Sequence, residues 1–230
     1  MARYYSSGKW FKLKRRKKRP YARQGRSNAW YNQKYSFVPM DVAMSALKGV
    51  RYLKTLVNSE MYKYDKTSNI LPDSTGATIA LSDIAQGDGD NQRTGLSIFS
   101  NSLYFRLKGT IHVSATATQI RILLVRDNQQ IGDTSPSISD VLEGIGMETP
   151  LNNTTVGRFT ILRDWVINLN SQGTQNFFRQ AYIPCYKHIR YNGTASTDVQ
   201  KNGLYLLHMS NEVTNTPSLY YYSRLNYRDN

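Results

Sequence analysis

The stretch LYFRLKGTIHVS, residues 103–114, predicts how this chain folds. Its odd-numbered positions are apolar or small, from Leu103 and Phe105 to Val113, whereas its even-numbered positions, such as Arg106, are mostly polar or charged. Successive side chains of a β-strand point to opposite faces of the sheet, so this alternation predicts a strand with one buried face and one face in water. Strands of this kind belong to antiparallel sheets that cover a core with one side.

Similar segments occur on both sides of this stretch, and turn signals such as GDGD at 87–90 separate them. The third predicted strand bends at residues 100–101, the fourth is apolar enough to be central, and Pro184 indicates a bulge or a sheet edge in the sixth. Only one further helix is predicted, around residues 139–143 in the long connection from 128 to 156. The predicted strands are residues 50–65, 76–84, 96–114, 118–127, 157–169, 176–191, 203–210 and 218–228.

Eight strands of this length with almost no helix predict an all-β fold, an eight-stranded antiparallel jelly-roll sandwich. An immunoglobulin-like sandwich is the main alternative, although its strands and connections are usually shorter. Asp41 and Gly49 are suitable as the N-cap and the stop of a short helix. The predicted division is therefore a basic arm at 1–40, a helical joint at 41–49 and the sandwich at 50–230.

Charge is divided unevenly along the chain. The formal net charge is +14, and residues 1–40 hold 12 of the 30 basic residues and none of the 16 acidic ones, which leaves +2 for the rest. A segment with so much like charge and so few apolar residues is expected to be disordered when free. Its aromatic residues, such as Trp10, can stack on unpaired bases while Lys and Arg contact phosphates. The predicted nucleic-acid-binding residues are Arg3, Lys9, Lys12, Lys14, Arg15, Arg16, Lys17, Lys18, Arg19, Arg23 and Arg26.

Residues 14–19, KRRKKR, are also dense enough in charge to act as a nuclear import signal. A merely solubilising tail and a membrane-surface role, in which the arm meets anionic lipid, are the alternatives. No apolar run approaches the roughly 18 residues that span a membrane, and the N-terminus lacks the apolar core of a signal peptide. A soluble, intracellular product without membrane insertion is expected.

The sequence lacks the residue motifs that enzymes commonly use for metal binding, nucleophilic catalysis and phosphate binding. The histidines, His112, His188 and His208, fall on three different predicted strands without a paired metal-ligand spacing. Cys185 is the single cysteine, which precludes an intrachain disulfide and favours the role of a small buried hydrophobe. Glycine-rich phosphate-binding motifs are also missing. We therefore predict a protein that is no enzyme and that uses no cofactor.

One short stretch, DGDN at 88–91, invites a weak cation prediction. Asp88 and Asp90 offer the hard oxygen ligands that Ca²⁺ prefers. An EF-hand loop starting at Asp88 would need Glu at position 99, where Phe99 stands instead. A solvated turn is therefore favoured, and a cation shared between subunits is the alternative.

The order of these features resembles that in coat proteins of small viruses. GDGDNQRTGLSI (87–98), with its Arg-x-Gly, is similar to the turn before a jelly-roll strand in capsid proteins of satellite tobacco necrosis virus and related viruses. RILLVRDNQ (121–129) resembles their following strand, and SPSISDVLE (135–143) resembles their helical excursion. GRFTILRDW (157–165) is similar to a pattern in capsids of circular single-stranded DNA viruses that encode a replication initiator. The resemblance extends from the arm to about residue 169.

The resemblance implies a viral capsid protein whose copies tile a small icosahedral shell, with T=1 as the expected size. The arm would face the packaged genome, expected to be single-stranded DNA, and the protein would occupy the virion and, during assembly, the host nucleus. Its implied partners are copies of itself, nucleic acid and the host nuclear import machinery.

Two other classes of function stay open. A cellular nucleic-acid-binding protein of the ribosomal or chromatin type would usually keep basic patches on its folded body, which the charge of +2 over residues 41–230 does not favour. A jelly-roll enzyme or lectin is the third class, and the sequence offers no site for it.

Overall fold

The computed structural model describes residues 3–6, 9–12, 39–56, 60–130 and 134–229. The chain divides into two compact units, Met1–Asn58 and Ser59–Asn230. In the first unit, strands β1 (Arg3–Ser6) and β2 (Lys9–Lys12) pair as an antiparallel hairpin, and α1 (Pro39–Leu56) follows. The hairpin was not predicted from the sequence. None of the helices in the described part of the chain is both long and apolar enough to cross a membrane.

Helix α1 is longer than the predicted joint and occupies residues 50–56, for which a strand was predicted. The apolar residues Ala43, Leu47 and Val50 recur at the spacing of a helix, and this period continues across Gly49. An internal glycine costs only about 1 kcal/mol relative to alanine, so Gly49 does not end the helix. Asp41 lies inside α1 and is not its N-cap, because the helix begins at Pro39, whose missing N–H needs no partner in the first turn.

The second unit is a sandwich of two antiparallel sheets, which confirms the predicted all-β jelly roll. One sheet has the order β3-β11-β5-β8-β9 and the other β4-β10-β6-β7. The first strand of this unit, β3, therefore pairs with its last strand, β11, as in a jelly roll. The short β9 was missed from the sequence. The strands are β3 (Glu60–Ile70), β4 (Ala77–Ala80), β5 (Ser97–Thr110), β6 (Ala117–Asp127), β7 (Phe159–Asn170), β8 (Asn176–Tyr191), β9 (Val199–Lys201), β10 (Gly203–Ser210) and β11 (Ser218–Asp229).

The inner faces of the two sheets form the main core. Leu103, Phe105 and Leu107 are buried there, as the alternation in β5 predicts. The Phe105 ring stacks on Tyr221 of the neighbouring strand at 6.1 Å between centroids, and on Trp165 of the opposite sheet at 6.3 Å. Phe105 therefore holds the two sheets together through aromatic contacts.

A bulge bends β5 where a bend was predicted. The pairing skips Asn101 on both sides, so that Ser100 and Ser102 have partners in β11 and β8 but Asn101 has none in these ladders. The interruption in β8 lies next to Pro184 and includes Tyr186, whose φ is 46°. The predicted bulge at Pro184 is therefore confirmed.

The alternation in β5 does not extend as far as predicted. Val113 was expected on the buried face, but β5 ends at Thr110 and Val113 is 92% exposed. The chain turns between β5 and β6, where Ala115 N donates to the His112 carbonyl oxygen, so the strand period no longer applies.

The long connection between β6 and β7 covers the outer face of the β4-β10-β6-β7 sheet. It contains α2 (Ile138–Val141), which starts one residue before the predicted helix and begins with a capping box formed by Ser137 and Asp140. Ile138, Val141 and Leu142 pack on outward-facing side chains of the sheet, which form a second apolar cluster: Leu123, Val125, Tyr205, Leu207 and Met209. Strand β10 and most of β6 are thereby buried on both faces.

Candidate nucleic-acid interface

Three of the predicted arm residues, Arg3, Lys9 and Lys12, lie on the β1–β2 hairpin. In the register of this hairpin, basic positions are opposed to basic or serine positions, and aromatic positions to aromatic ones. The opposed pairs are Arg3 and Lys12, Tyr4 and Phe11, Tyr5 and Trp10, and Ser6 and Lys9. The other predicted binding residues, including the import candidate, lie outside the described residues: Lys14, Arg15, Arg16, Lys17, Lys18, Arg19, Arg23 and Arg26.

The outer face of the other sheet, β3-β11-β5-β8, carries a second concentration of basic and aromatic side chains. They come from β5, β8 and β11, whose alternate residues point away from the core. We call this surface the aromatic–basic face. It comprises Tyr104, Arg106, Lys108, Phe178, Tyr182, Tyr220, Tyr222 and Arg224.

Arg106 occupies the centre of the aromatic–basic face. Its guanidinium carbon lies 5.6 Å from the centroid of the Tyr104 ring and 5.7 Å from that of Phe178, within the range of cation–π attraction. The Tyr104 ring meets the Tyr222 ring edge-on at 6.4 Å. The Arg106 guanidinium therefore lies near two rings, and the third ring, that of Tyr222, contacts one of them.

The charge of this face is mainly positive. Arg224 donates from Nε and Nη2 to the two carboxylate oxygens of Asp65 at 2.7 and 2.6 Å. These hydrogen bonds raise the pKa of Arg224 and lower that of Asp65, so the pair stays ionised and largely neutralises itself. Arg106 and Lys108 form no salt bridge with any of the described residues.

The sequence pattern predicted that Tyr104, Arg106 and Lys108 lie on the polar side of one strand. It did not predict that Phe178 and Tyr220, from other strands, lie beside them. Those contacts depend on which strands are neighbours, and a single sequence does not contain that information. Alternate aromatic and basic residues in several strands are the signal that would have pointed to a shared face.

The GDGDNQRTG turn is organised by Arg93, which is completely buried. Its Nε donates to the carbonyl oxygen of Ile84 at 2.9 Å, Nη1 to that of Gly95 at 2.6 Å, and Nη2 to that of Gly193 at 2.5 Å. The guanidinium carbon also lies 3.9 Å from the centroid of the Tyr191 ring. Burial lowers the pKa of Arg93. These bonds use the side chain to join two loops, which makes Arg93 a structural residue.

Asp88 and Asp90 are exposed on the same turn. The side chain that closes the turn is Gln92, whose Oε1 accepts from the Gly89 N–H at 2.9 Å. Among the described residues, no three His, Cys, Asp or Glu side chains come close enough to hold a metal ion. A cation shared between subunits at these two aspartates stays a prediction.

The histidines and the cysteine do not form a reactive pair. Cys185 is buried, and burial raises the pKa of its thiol to about 11. His188 is exposed, with Nδ1 3.4 Å from the Ser97 hydroxyl. His208 is buried, with its Nδ1 lacking a hydrogen-bond partner among the described residues, and burial lowers its pKa to about 4. His112 Nδ1 accepts from the Ser114 N–H at 3.1 Å.

Comparison with known proteins gives one family. The family model described as satellite tobacco necrosis virus coat protein matches residues 49–229. The coat protein of Maize white line mosaic Satellite virus is 26% identical over 180 residues, which are 73% of this chain and 82% of that protein. The coat protein of Satellite tobacco necrosis virus 2 is 30% identical over 128 residues, which are 54% of this chain and 62% of that protein.

Solved structures of capsid proteins are similar only at a distance. That of Desmodium yellow mottle tymovirus has a TM-score of 0.37 and 9% identity, covering 74% of this chain and 86% of the other. The decameric BFDV capsid protein has a TM-score of 0.35 and 9% identity, covering 74% and 98%. The match to the family model begins after the basic arm.

Proposed function

The chain belongs to the satellite tobacco necrosis virus coat protein family, and from this premise we propose that it assembles into a closed icosahedral shell and packages the genome through its basic arm. A coat protein is a component of the virion and has a structural role. The shell size that the sequence resemblance implies is T=1, which has about 60 copies arranged with closed point-group symmetry.

The division of charge is the observation that carries this proposal. Residues 59–230 contain 15 basic and 15 acidic residues, so the sandwich is balanced, whereas residues 1–40 contain 12 basic residues and no acid. Identical subunits can pack side by side without strong mutual repulsion when their bodies are neutral. About 60 arms would bring roughly 700 positive charges to the phosphates of the cargo, with release of counterions.

The cargo in this proposal is a single-stranded nucleic acid, because the arm combines basic residues with aromatic ones. Trp10 and Phe11 offer stacking surfaces for unpaired bases, which a duplex does not expose. The resemblance to circular-virus capsids predicts DNA, but phosphate contacts do not distinguish DNA from RNA. Treatment of the particle contents with deoxyribonuclease or ribonuclease identifies the cargo.

Expression of the full chain tests assembly and packaging together. We expect uniform particles in electron microscopy that contain nucleic acid by absorbance at 260 and 280 nm. A variant with residues 14–19 replaced by Gln is expected to form the same particles with much less nucleic acid. A protein that stays monomeric over a range of salt and pH would contradict the shell, and unchanged packaging by the variant would contradict the role of the arm.

The same variant tests the proposed nuclear import signal. In a fluorescent fusion of the full chain, the parent is expected in the nucleus and the Gln variant in the cytoplasm, because import receptors bind clustered basic residues. Undiminished nuclear fluorescence of the variant would remove this part of the proposal without affecting assembly. The alternative of a cellular nucleic-acid-binding protein is not favoured, because the family match is to coat proteins.

A further inference from the structure

We propose that the aromatic–basic face of the sandwich is a second binding site for single-stranded nucleic acid, separate from the arm. In this site the rings stack on unpaired bases, and Arg106 and Lys108 contact the phosphates. The net charge of residues 59–230 does not reveal the site, because it is a sum over the whole unit. Arg106 and Lys108, which form no salt bridge among the described residues, lie together on one sheet face.

The aromatic–basic face exposes several large aromatic rings to solvent. Phe178, Tyr182 and Tyr220 are 52%, 61% and 49% exposed on the outer face of β3-β11-β5-β8. The corresponding face of the other sheet is covered over β6 and β10 by the connection that contains α2. Contiguous exposed aromatic surface on a soluble protein usually marks an interaction site.

The strand register arranges the rings and the cations in rows. Lys108 is paired with Tyr220 on one side and with Phe178 on the other, and four residues away along β5, Tyr104 is paired with Tyr182. Neighbouring strands lie roughly 4.8 Å apart, and alternate residues along a strand about 7 Å apart. A sheet surface with aromatic residues at such spacing can stack two or three bases, as RNA-binding sheets do.

The positive charge of the aromatic–basic face favours a negatively charged ligand. Arg106 and Lys108 have no salt bridge among the described residues, so a neutral second copy of the sandwich would have to bury two uncompensated cations. The arm carries the same sign as the face and is disfavoured for that reason. A nucleic acid supplies the missing negative charge, and a single strand also supplies the unpaired bases that open ring faces can stack on.

The test uses the full chain with residues 14–19 replaced by Gln, which weakens the competing arm. Affinity for a fluorescent 15-nucleotide poly-dT or poly-U strand is measured by anisotropy. Phe178→Leu combined with Tyr220→Leu is expected to lower the affinity at least tenfold, because each stacked base contributes substantially to binding. Phe178→Tyr, which keeps the ring, is expected to bind like the parent, and binding to a 15-base-pair duplex is expected to change less than twofold.

Arg106→Gln tests the phosphate contact. We expect it to lower the magnitude of the slope of log affinity against log salt by about 0.7 for a single strand. The matched control is Arg163→Gln, which removes an exposed arginine from β7 of the opposite sheet and is expected to leave the slope unchanged. An equal effect of the two changes would overturn the proposed contact, since a general loss of positive charge would then explain it.

Photo-crosslinking of the unaltered full chain to a strand that contains 5-bromouracil gives a readout that needs no variant. Crosslinked peptides are expected from β5, β8 or β11 in addition to the arm. Crosslinks confined to residues 1–26 would refute the site. Leucine variants that bind the strand normally but assemble abnormally would instead show that the face is a subunit interface. Neither result would contradict the role as a coat protein, which particle formation tests separately.

Discussion

Phe105 shows how much one side chain contributes to this sandwich. Its buried ring touches Tyr221 in its own sheet and Trp165 in the other, so its removal would leave a cavity between the sheets. We expect Phe105→Ala to lower the free energy of unfolding by about 3–5 kcal/mol. Urea denaturation of the unassembled protein measures this change. Val113→Ala is the control, expected within about 0.5 kcal/mol of the parent because Val113 is 92% exposed.

His208 makes stability depend on pH. Burial lowers its pKa to about 4, whereas the unfolded chain titrates near 6.5, so between these values the unfolded state binds more protons. The stabilising effect of a neutral His208 is complete above pH 6.5 and is lost as the pH falls towards 4. We expect a loss of roughly 2 kcal/mol between pH 7.5 and 5.0 in urea denaturation.

The variant His208→Gln separates this effect from other titrations. It is expected to have a nearly flat stability between pH 7.5 and 5.0, whatever its absolute stability. Asp65 and Asp73, whose pKa values are lowered by hydrogen bonds, lose their stabilising effect only below their usual values near 3.8 and thus outside this range. A variant with the same slope as the parent would contradict the assignment to His208.

Among elements, the turn at 87–95 depends most clearly on a single side chain. Arg93 donates to the carbonyl oxygens of Ile84, Gly95 and Gly193, and the shorter Arg93→Lys has no planar fork to reach all three. We expect this change to lower the free energy of unfolding by roughly 2–4 kcal/mol, since buried carbonyls lose their partners. Thermal unfolding measures it, and Arg163→Lys on the exposed surface is the matched control, expected to have little effect.

The strands were predictable where one side is buried and the other is in water. β8 follows this rule and β10 is continuously apolar, and their bounds at residues 176–191 and 203–210 are those predicted. β5 follows the rule from residue 97 to residue 110 and ends four residues before the predicted bound. The prediction of a strand at residues 50–56 was wrong, because apolar residues mixed with aromatic and basic ones fit both a strand and a helix over so short a window. The three-residue β9 is defined by its pairing with β8 and has no pattern of its own.

One part of the candidate nucleic-acid interface could be predicted from the sequence and the other part could not. The arm was recognisable because charge density is a property of consecutive residues, such as the run from Lys14 to Arg19. The aromatic–basic face was not, because Arg106 and Phe178 are brought together only by the pairing of β5 with β8. Non-local contacts of this kind need the topology of the sheet.

At the scale of the whole molecule, the separation of a cationic arm from a balanced sandwich predicts a salt-dependent affinity. Replacing residues 14–19 by Gln removes six positive charges. The slope of log affinity for single strands against log salt is expected to decrease by roughly 4, since each neutralised phosphate contributes about 0.7. Anisotropy titrations between 50 and 300 mM salt measure it. An unchanged slope would show that other residues make the phosphate contacts.

The position of β11 between β3 and β5 has a consequence for translation. Among the described strands, β11 is the only neighbour of β3 in the sheet, and its first residue, Ser218, follows Ile70 by almost 150 positions. At roughly 5–20 residues per second, a nascent chain takes on the order of ten to thirty seconds to cover that distance. Unfinished chains on a polysome therefore lack the completed sheet, and β3 gains its partner only after the ribosome has made β11.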